Sequence, residues 1–242
     1  MAAPVNFSNP LDHMRNELTS TLGVGVFDPS DGPEVITPKV EILGVAPDGD
    51  AIMRHLEAAI RTAYKSEDKI GPDSHKKVLK HILSLKHEST LEHTSLSFRI
   101  TTSRGVSHEL VRHRIASYTQ ESTRYVNYGK RPPQMIMPWH LVGRCYQEKL
   151  FWFGCQTEIL SMYQKALSMG WTPQDARGLL SNDLKTEIVV SMNLRSLRNF
   201  LSLRTSASAH PDMQVVAREV LRIVYDLVPL IFEDIASAWV TA

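Results

Sequence analysis

The sequence predicts an α+β (mixed α/β) fold in which helices pack on a central, mostly antiparallel sheet. Helical periodicity is the more frequent pattern, but two segments carry strand patterns. Residues 94–101 alternate between apolar and polar side chains, and residues 185–192 are rich in β-branched side chains. The chain has no internal repeat and no low-complexity tract. Helices should therefore outnumber strands around one sheet.

The first 38 residues are predicted to form an appendage, and residues 39–242 a single domain. The appendage is rich in turn signals, such as Asn9-Pro10 and Asp31-Gly32-Pro33, and has no sustained periodicity. Turn signals of this kind predict irregular structure with at most a short hairpin.

The first half of the domain predicts strands and helices in alternation. Residues 39–45 form a strand pattern, and residues 51–65 follow with apolar side chains at helical spacing. Asp73-Ser74 can cap a second helix. A change from helix to strand falls near residues 87–93, and residues 104–116 again predict a helix.

The second half predicts an irregular connection, one strand and further helices. The connection covers residues 122–139, and the helices cover residues 146–169, 172–177, 193–204 and 211–240. Gly170 should end the long helix. Thr172-Pro173 should begin the short one, and Pro229 should break the last one.

The charge balance and the cysteine content exclude several classes of protein. With 27 Lys and Arg against 26 Asp and Glu, the net charge of +1 argues against a strongly basic nucleic-acid binder. Apolar residues at 43% with charged residues at 22% are typical of a globular domain.

The two cysteines, Cys145 and Cys155, fit neither a disulfide framework nor a C-x-x-C site. This cysteine content favours a location in the reducing cytoplasm. We find no secretory signal and no apolar run long enough to span a membrane.

The densest polar cluster is Arg112-His113-Arg114, within a predicted helix. Because successive helical residues are rotated by about 100°, Arg112 and Arg114 would point to nearly opposite sides and would not easily serve one site on one chain. Either the helix ends at the cluster, or the two guanidinium groups face different ligands, as at a subunit interface. Taken alone, the cluster is also explained as a solvated basic helix end.

A second polar segment follows seven residues later and favours phosphate binding. Ser122 and Arg124 combine a hydroxyl with a planar guanidinium group in a predicted turn, which suits a cage of phosphate oxygens. Gln120 and Glu121 add amide and carboxylate groups that can bind a sugar or a base edge.

Two histidines frame a further cluster, His87-Glu88-Ser89 and Glu92-His93. The zinc motif H-E-x-x-H would require a histidine at position 91, where the chain has Leu91, so metalloprotease geometry is absent. Both histidines can also be structural, His87 as a cation at a helix end and His93 as a satisfied side chain at a strand start.

The helix predicted over residues 193–204 has an apolar stripe and a polar face. The stripe is formed by Leu194, Leu197, Phe200 and Leu201, and the polar residues Asn193 and Arg204 fall on the same side of the helix. The side chains that fall away from it are Arg195, Arg198, Asn199 and Ser202. An arginine on the inward stripe needs a partner, because an unpaired buried charge is costly. Alternatively, the end of the helix simply leaves the stripe.

The spacing of Arg112-His113-Arg114 and Ser122 matches the signature R-H-R-x7-S, and the chain resembles the flavin-dependent thymidylate synthases. The resemblance runs from about Val40 to Phe232. Further residues match the family in order, namely His87-Glu88-Ser89, Glu92-His93, Arg177, Asn193, Arg195, Asn199 and Arg204. The resemblance implies a homotetramer that binds FAD where subunits meet.

The resemblance also implies reductive methylation of dUMP to dTMP, with 5,10-methylenetetrahydrofolate as one-carbon donor and NADPH as the reductant of FAD. Arg204 would polarise the uracil and favour its ionisation at N3, and His87 would lie by the flavin and the folate. The residues implied to contact FAD are Ser89, Arg112, His113, Arg114, Gln120, Asn193, Leu194, Arg195 and Asn199. The residues implied to hold dUMP are Glu109, Arg112, Gln120, Glu121, Ser122, Thr123, Arg124, Arg177 and Arg204. No metal, nucleic acid or membrane is implied.

The chemistry supports part of this assignment independently. Methylation of a pyrimidine carbon builds up charge on the ring, which a buried guanidinium such as that of Arg204 stabilises. Neither Cys145 nor Cys155 has an adjacent histidine, so no cysteine nucleophile is predicted. Three positions depart from the family pattern, namely Glu109 where some members have Gln, Gln120 where some have Glu, and His210 where Gln is usual.

Two other functions remain open at this point. A metal-dependent hydrolase would use His87, Glu88, His93 and His113. A nonenzymatic module that binds RNA or DNA would use Arg112, Arg114 and Arg124.

Overall fold

The computed structural model describes residues 9–23, 25–28, 30, 32–44, 48–130 and 133–240. The helices are α1 (Pro10–Gly23), α2 (Gly49–Tyr64), α3 (Ser74–Ser84), α4 (Arg104–Leu110), α5 (Tyr146–Ser168), α6 (Pro173–Ala176), α7 (Leu194–Arg204), α8 (Pro211–Leu227) and α9 (Pro229–Val240). The strands are β1 (Glu34–Ile36), β2 (Lys39–Ile42), β3 (Ser95–Ser103), β4 (Ser117–Gln120), β5 (Gln134–Ile136) and β6 (Lys185–Asn193). Short 3-10 helices lie at Glu67–Lys69, Glu88–His93, Trp139–Leu141 and Arg177–Leu179.

The central sheet consists of four antiparallel strands in the order β2, β3, β6, β4. Leu96, Phe98 and Ile100 of β3 are buried, as the alternating pattern predicts. Asn193 at the end of β6 lies opposite Ser95 at the start of β3, so α7 begins beside the Glu88–His93 turn. Only β1 and β5 pair in parallel, in a separate two-stranded sheet of the described chain. The predicted class, helices with a mostly antiparallel sheet, is confirmed.

The larger core combines the central sheet with α2, α3, α7, α8 and α9. The α7 side chains Leu194, Leu197, Phe200 and Leu201 are at most 1% exposed, which confirms the predicted apolar stripe. A second core packs α1 and α5 together with Phe27. One face of α7 is thus fixed in the core, and its other face remains available for a site.

Helix α1 corrects the expectation of at most a short hairpin in the first 38 residues. Leu11 and Met14 are buried in the second core, and Glu17 forms an ion pair with Lys149 of α5. Leu11, Met14 and Leu18 do follow at helical spacing, but this stripe is short and lies among turn signals, which favoured irregular structure. The division between residues 1–38 and residues 39–242 stays a prediction, and residues 1–8 lie outside the described ranges.

Most other predicted elements are confirmed. Gly170 adopts a left-handed φ of +90° just after α5, and Pro229 separates α8 from α9. Asp73 occupies the N-cap position of α3, although its side chain makes no capping hydrogen bond there. The strands β1, β4 and β5 were not predicted, and Val45 of the predicted first strand lies outside the described residues. Within the described chain, no helix combines the length and the apolar character needed to cross a bilayer.

Candidate active site

A cavity of about 960 Å³ opens where α7, α9, the Glu88–His93 turn and the loop after α4 meet. This volume is near the upper end of the range for small-molecule sites, roughly 300–1,000 Å³. Among the described residues, its wall contains five arginines and three carboxylates, namely Arg112, Arg114, Arg195, Arg198, Arg204, Glu88, Glu92 and Asp234. His113 and Asn199 also line it. The excess of guanidinium groups favours an anionic ligand.

Helix α4 ends at Leu110, before the Arg112-His113-Arg114 cluster. The Tyr118 hydroxyl on β4 lies 2.9 Å from the Leu110 carbonyl oxygen and 2.8 Å from that of His113, so it satisfies the end of the helix. Burial raises the pKa of this hydroxyl to about 12, so it stays a donor. The helix predicted over residues 104–116 is therefore wrong beyond Leu110. Of the two alternatives for Arg112 and Arg114, the one in which the helix ends at the cluster is confirmed, and both side chains line the same cavity.

Two side chains hold Arg204, the last residue of α7. Its Nη1 donates to Glu109 Oε2 at 2.9 Å, and its Nε donates to His113 Nε2 at 3.0 Å. The Arg204 side chain is 22% exposed, so this inward arginine has the partner that its burial requires. The His113 ring packs edge-on against Phe200, with ring centroids 5.0 Å apart. Arg204 is thereby fixed in the wall of the cavity.

The protonation state of His113 matters for this arrangement. Burial, followed by the positive charge of Arg204, lowers the pKa of His113 below its ordinary value of 6.5. The neutral imidazole leaves Nε2 free to accept the hydrogen bond from Arg204. Protonation would remove that acceptor and place two cations side by side.

The lowered pKa of His113 predicts a pH-dependent contribution to stability. The unfolded chain binds a proton at His113 more readily than the folded chain, so this contribution falls as the pH falls below 6.5. The variant His113→Gln removes the titration, and its free energy of unfolding should decrease less than that of the parent between about pH 8 and about pH 5. Urea denaturation at both pH values measures the difference. Equal decreases in the two proteins would contradict the assignment.

The cavity arginines differ in how they are paired. Arg195 Nη1 lies 2.6 Å from Glu92 Oε1, and Arg198 is paired with Glu88 and Asp234. Arg112 and Arg114, in contrast, form no ion pair or side-chain hydrogen bond with any residue that the structure describes. These two exposed guanidinium groups are therefore available to an anionic ligand.

Several residues predicted at the site do not line the cavity, and four of these lie at the start of α7 or beside Glu88. Asn193 is the N-cap of α7, and its Oδ1 accepts from the Ser196 backbone N–H at 2.8 Å. Leu194 is fully buried in the core. His87 and Ser89 are exposed on either side of Glu88, next to the cavity wall.

The side chains of Gln120, the last residue of β4, and of Glu121 are both hydrogen-bonded to neighbouring residues of the chain. Gln120 Nε2 donates to Ser107 Oγ at 2.8 Å and to Thr186 Oγ1 at 3.2 Å. The Glu121 carboxylate accepts from the Tyr128 hydroxyl at 3.0 Å and from Lys185 Nζ at 3.2 Å. These contacts anchor the segment that carries the predicted phosphate-binding residues.

The predicted phosphate-binding residues lie outside the cavity wall. Ser122 Oγ accepts from the Arg124 backbone N–H at 3.2 Å, in a turn where Thr123 is buried. Arg124 Nε donates to Gln174 Oε1 of α6 at 3.0 Å. Since Arg177 follows α6 directly, the structure places Arg124 beside the segment that carries Arg177.

The sequence did not identify Arg198 and Asp234 as site residues, although both line the cavity. The helical wheel placed Arg198 away from the apolar stripe, and no sequence signal linked it to Asp234, 36 positions later.

His210 caps α8 through its Nδ1, which accepts from the Asp212 backbone N–H at 3.3 Å, and it is not in the cavity wall. Neither cysteine lines the cavity. Among the residues with described positions, no group of three or more His, Cys, Asp or Glu side chains is arranged to hold a metal ion.

An α+β fold with an arginine-lined cavity of this size is suited to an anionic organic cofactor or substrate. The model of the family described as thymidylate synthase complementing protein matches residues 48–230. A flavin-dependent thymidylate synthase of Geobacter sulfurreducens is 34% identical over 210 residues, which are 84% of this chain and 89% of that protein. The corresponding enzyme of Pyrococcus furiosus is 37% identical over 161 residues, 65% of each chain.

The fold is also similar to that of a solved structure. The crystal structure of the UMP/dUMP methylase PolB from Streptomyces cacaoi, bound with 5-Br dUMP, has a TM-score of 0.68 at 24% identity and covers 83% of this chain and 95% of that chain. The chain belongs to the flavin-dependent thymidylate synthase family. It is therefore an enzyme, and its cofactor is FAD.

Proposed function

We propose that this chain methylates dUMP to dTMP, with 5,10-methylenetetrahydrofolate as the carbon donor and NADPH as the reductant of FAD. Family membership supports the reaction. The observation that carries the proposal is a single cavity in which Arg112 and Arg114 have free guanidinium groups and Arg204 is held in place. A metal hydrolase and a nucleic-acid module are not supported by any of the relatives described above.

The cavity residues fit FAD. Its diphosphate is anionic, and Arg112 and Arg114 can each donate charge-assisted hydrogen bonds to phosphate oxygens. Ile115, Leu203 and Ile235 add apolar surface to the same wall, against which a flat ring can pack. We assign the cofactor contacts to Arg112, His113, Arg114, Arg195 and Asn199 of the cavity wall and to the exposed Ser89 beside it. For Gln120, Asn193 and Leu194 a contact stays a prediction of the resemblance, since the first two side chains are hydrogen-bonded within the chain and the third is fully buried. When bound, FAD supplies the hydride for the reductive methylation.

Arg204 is the proposed catalytic cation. Glu109 and His113 each engage one side of its guanidinium group, so its orientation is set before the substrate arrives. A preorganised cation costs little reorganisation when negative charge develops on the uracil ring. We assign to Arg204 the polarisation of the uracil and the stabilisation of its N3-deprotonated form. His87, on the exposed turn beside Glu88, is assigned to the side of the flavin and the folate.

The nucleotide contacts are assigned to the turn after β4 and to neighbouring residues. The full set is Glu109, Arg112, Gln120, Glu121, Ser122, Thr123, Arg124, Arg177 and Arg204. Arg124 and Arg177 suit the phosphate because both are exposed and Arg124 lies beside α6. The anchoring of Glu121 to Lys185 and Tyr128 supports a fixed conformation of this turn.

We further propose a homotetramer in which FAD lies between subunits. Ile115 and Leu203 are 73% and 55% exposed although they line the cavity. Exposed apolar residues around a site are typical of an interaction surface. A partner subunit would cover them and bring a second set of assigned residues to the cavity.

One assay tests the proposed reaction. The purified protein is incubated with [5-³H]dUMP, methylenetetrahydrofolate, NADPH and FAD, and tritium release and dTMP formation are measured. We expect both to depend on all four compounds, and light scattering of the same sample to give four times the mass of the chain. Turnover that persists without folate or NADPH would contradict the assigned co-substrates. Absence of dTMP from a sample saturated with FAD would contradict the reaction itself.

A further inference from the structure

The Arg198 side chain joins three separate segments at the cavity. Its Nη1 and Nη2 bind the two carboxylate oxygens of Asp234 on α9 at 2.8 and 2.7 Å. Its Nε donates to Glu88 Oε1 at 3.1 Å, at the start of the Glu88–His93 turn. Nη1 also donates to the Ile231 carbonyl oxygen. The Arg198 side chain is only 12% exposed and that of Glu88 27%, whereas the Asp234 side chain reaches the surface, so the cluster is shielded from water mainly on the side of Arg198 and Glu88.

A second ion pair in the same cavity has a different character. Arg195 and Glu92 join α7 to the same turn, but their side chains are 52% and 45% exposed, and the pair reaches no third segment. Exposed pairs of this kind contribute little to stability. The Arg198 cluster is therefore the firmer of the two connections, because its planar guanidinium group binds one carboxylate in bidentate fashion and a second one at its edge.

The position of the cluster links it to cofactor binding. Glu88, Arg198 and Asp234 all line the cavity, and Ser89 follows Glu88 directly. The Arg198 contacts fix the relative position of the turn and α9, two of the segments that form the cavity wall. We propose that Arg198 is a positioning residue that fixes the Glu88–His93 turn and α9 at the spacing FAD requires. This inference rests on the proposed FAD site.

The variant Asp234→Asn tests the inference with little risk to folding, since the Asp234 side chain is 63% exposed. It removes the charge and one acceptor from the bidentate contact. The matched control is Asp226→Asn on α8, whose side chain is 64% exposed and pairs with Arg222 at 3.3 Å outside the cavity wall. Both proteins are prepared as full chains loaded with FAD, and the rate of FAD release is followed by flavin fluorescence after dilution.

We expect Asp234→Asn to release FAD about tenfold faster than the parent, as residues in one ion-pair network couple at roughly this level. The visible circular dichroism of the bound flavin should change as well, while the control should match the parent in both measurements. Arg198→Lys should also release FAD faster, because an ammonium group cannot form the bidentate contact.

The inference would be overturned if Asp234→Asn and Arg198→Lys matched the parent in the rate of FAD release and in flavin dichroism. That result would not affect the proposed function, because the parent would still bind FAD and form dTMP. A parent protein that binds no FAD would instead overturn the proposed function. Thermal unfolding of each variant separates a local change at the cavity from a general loss of stability.

Discussion

Replacement of Arg204 by alanine is expected to lower the kcat for dTMP formation by about 100- to 1,000-fold, the usual effect of removing one preorganised donor to a developing anion. Glu109 and His113 hold this guanidinium group in the cavity wall, and no other described arginine binds both of them. FAD should still bind, since Arg112 and Arg114 are unchanged. The loss should therefore fall on kcat, measured by tritium release at saturating substrates.

The matched control for this prediction is Arg54→Ala. Arg54 is also paired with a carboxylate on its own chain, Asp50 at 2.7 Å, but both side chains are exposed on α2, outside the cavity wall. Its removal should leave kcat near that of the parent. If Arg204→Ala kept full turnover, or if both variants lost activity equally, the catalytic assignment of Arg204 would be wrong.

Replacement of Arg112 or Arg114 by alanine is expected to weaken FAD binding by about 10- to 100-fold in each case. A hydrogen bond to a charged group contributes roughly 1.5–3 kcal/mol, and every 1.4 kcal/mol changes an affinity tenfold. These two guanidinium groups have no ion-pair partner among the residues in the described ranges. Their removal therefore leaves no buried carboxylate without a partner. Folding should be preserved, and a fluorescence titration with FAD measures the affinity.

Arg144→Ala is the control for these two variants. Arg144 is exposed, lies 3.6 Å from Glu148 and is not part of the cavity wall. It should bind FAD as the parent does. Unchanged FAD affinity in both Arg112→Ala and Arg114→Ala would contradict the proposed position of the diphosphate, whatever the effect on turnover.

Local sequence patterns predicted α7 well because its structure is determined by nearby residues. Asn193 caps the helix, and Leu197, Phe200 and Leu201 face the core at the spacing that the wheel predicts. The same helical spacing correctly placed the Arg204 side chain on the inward side of α7, where it is only 22% exposed. Its partner Glu109, 95 positions earlier, could not be derived from helical spacing.

The errors arose where distant residues decide the structure. The end of α4 depends on the Tyr118 hydroxyl of a strand that was not predicted, while the apolar Val111 and Ile115 continue the helical pattern in the sequence. Arg198 is on the polar face of α7, yet Asp234 and Glu88 bring it into a shielded cluster. The R-H-R-x7-S signature gave the family because it is a chemical pattern that does not depend on these local predictions.

The most direct test is a crystal structure of the full chain with FAD bound. We predict that the diphosphate lies within hydrogen-bonding distance of Arg112 or Arg114, and that the flavin ring occupies the cavity beside Arg204. FAD bound at another surface, with this cavity filled by solvent, would contradict the account of the site.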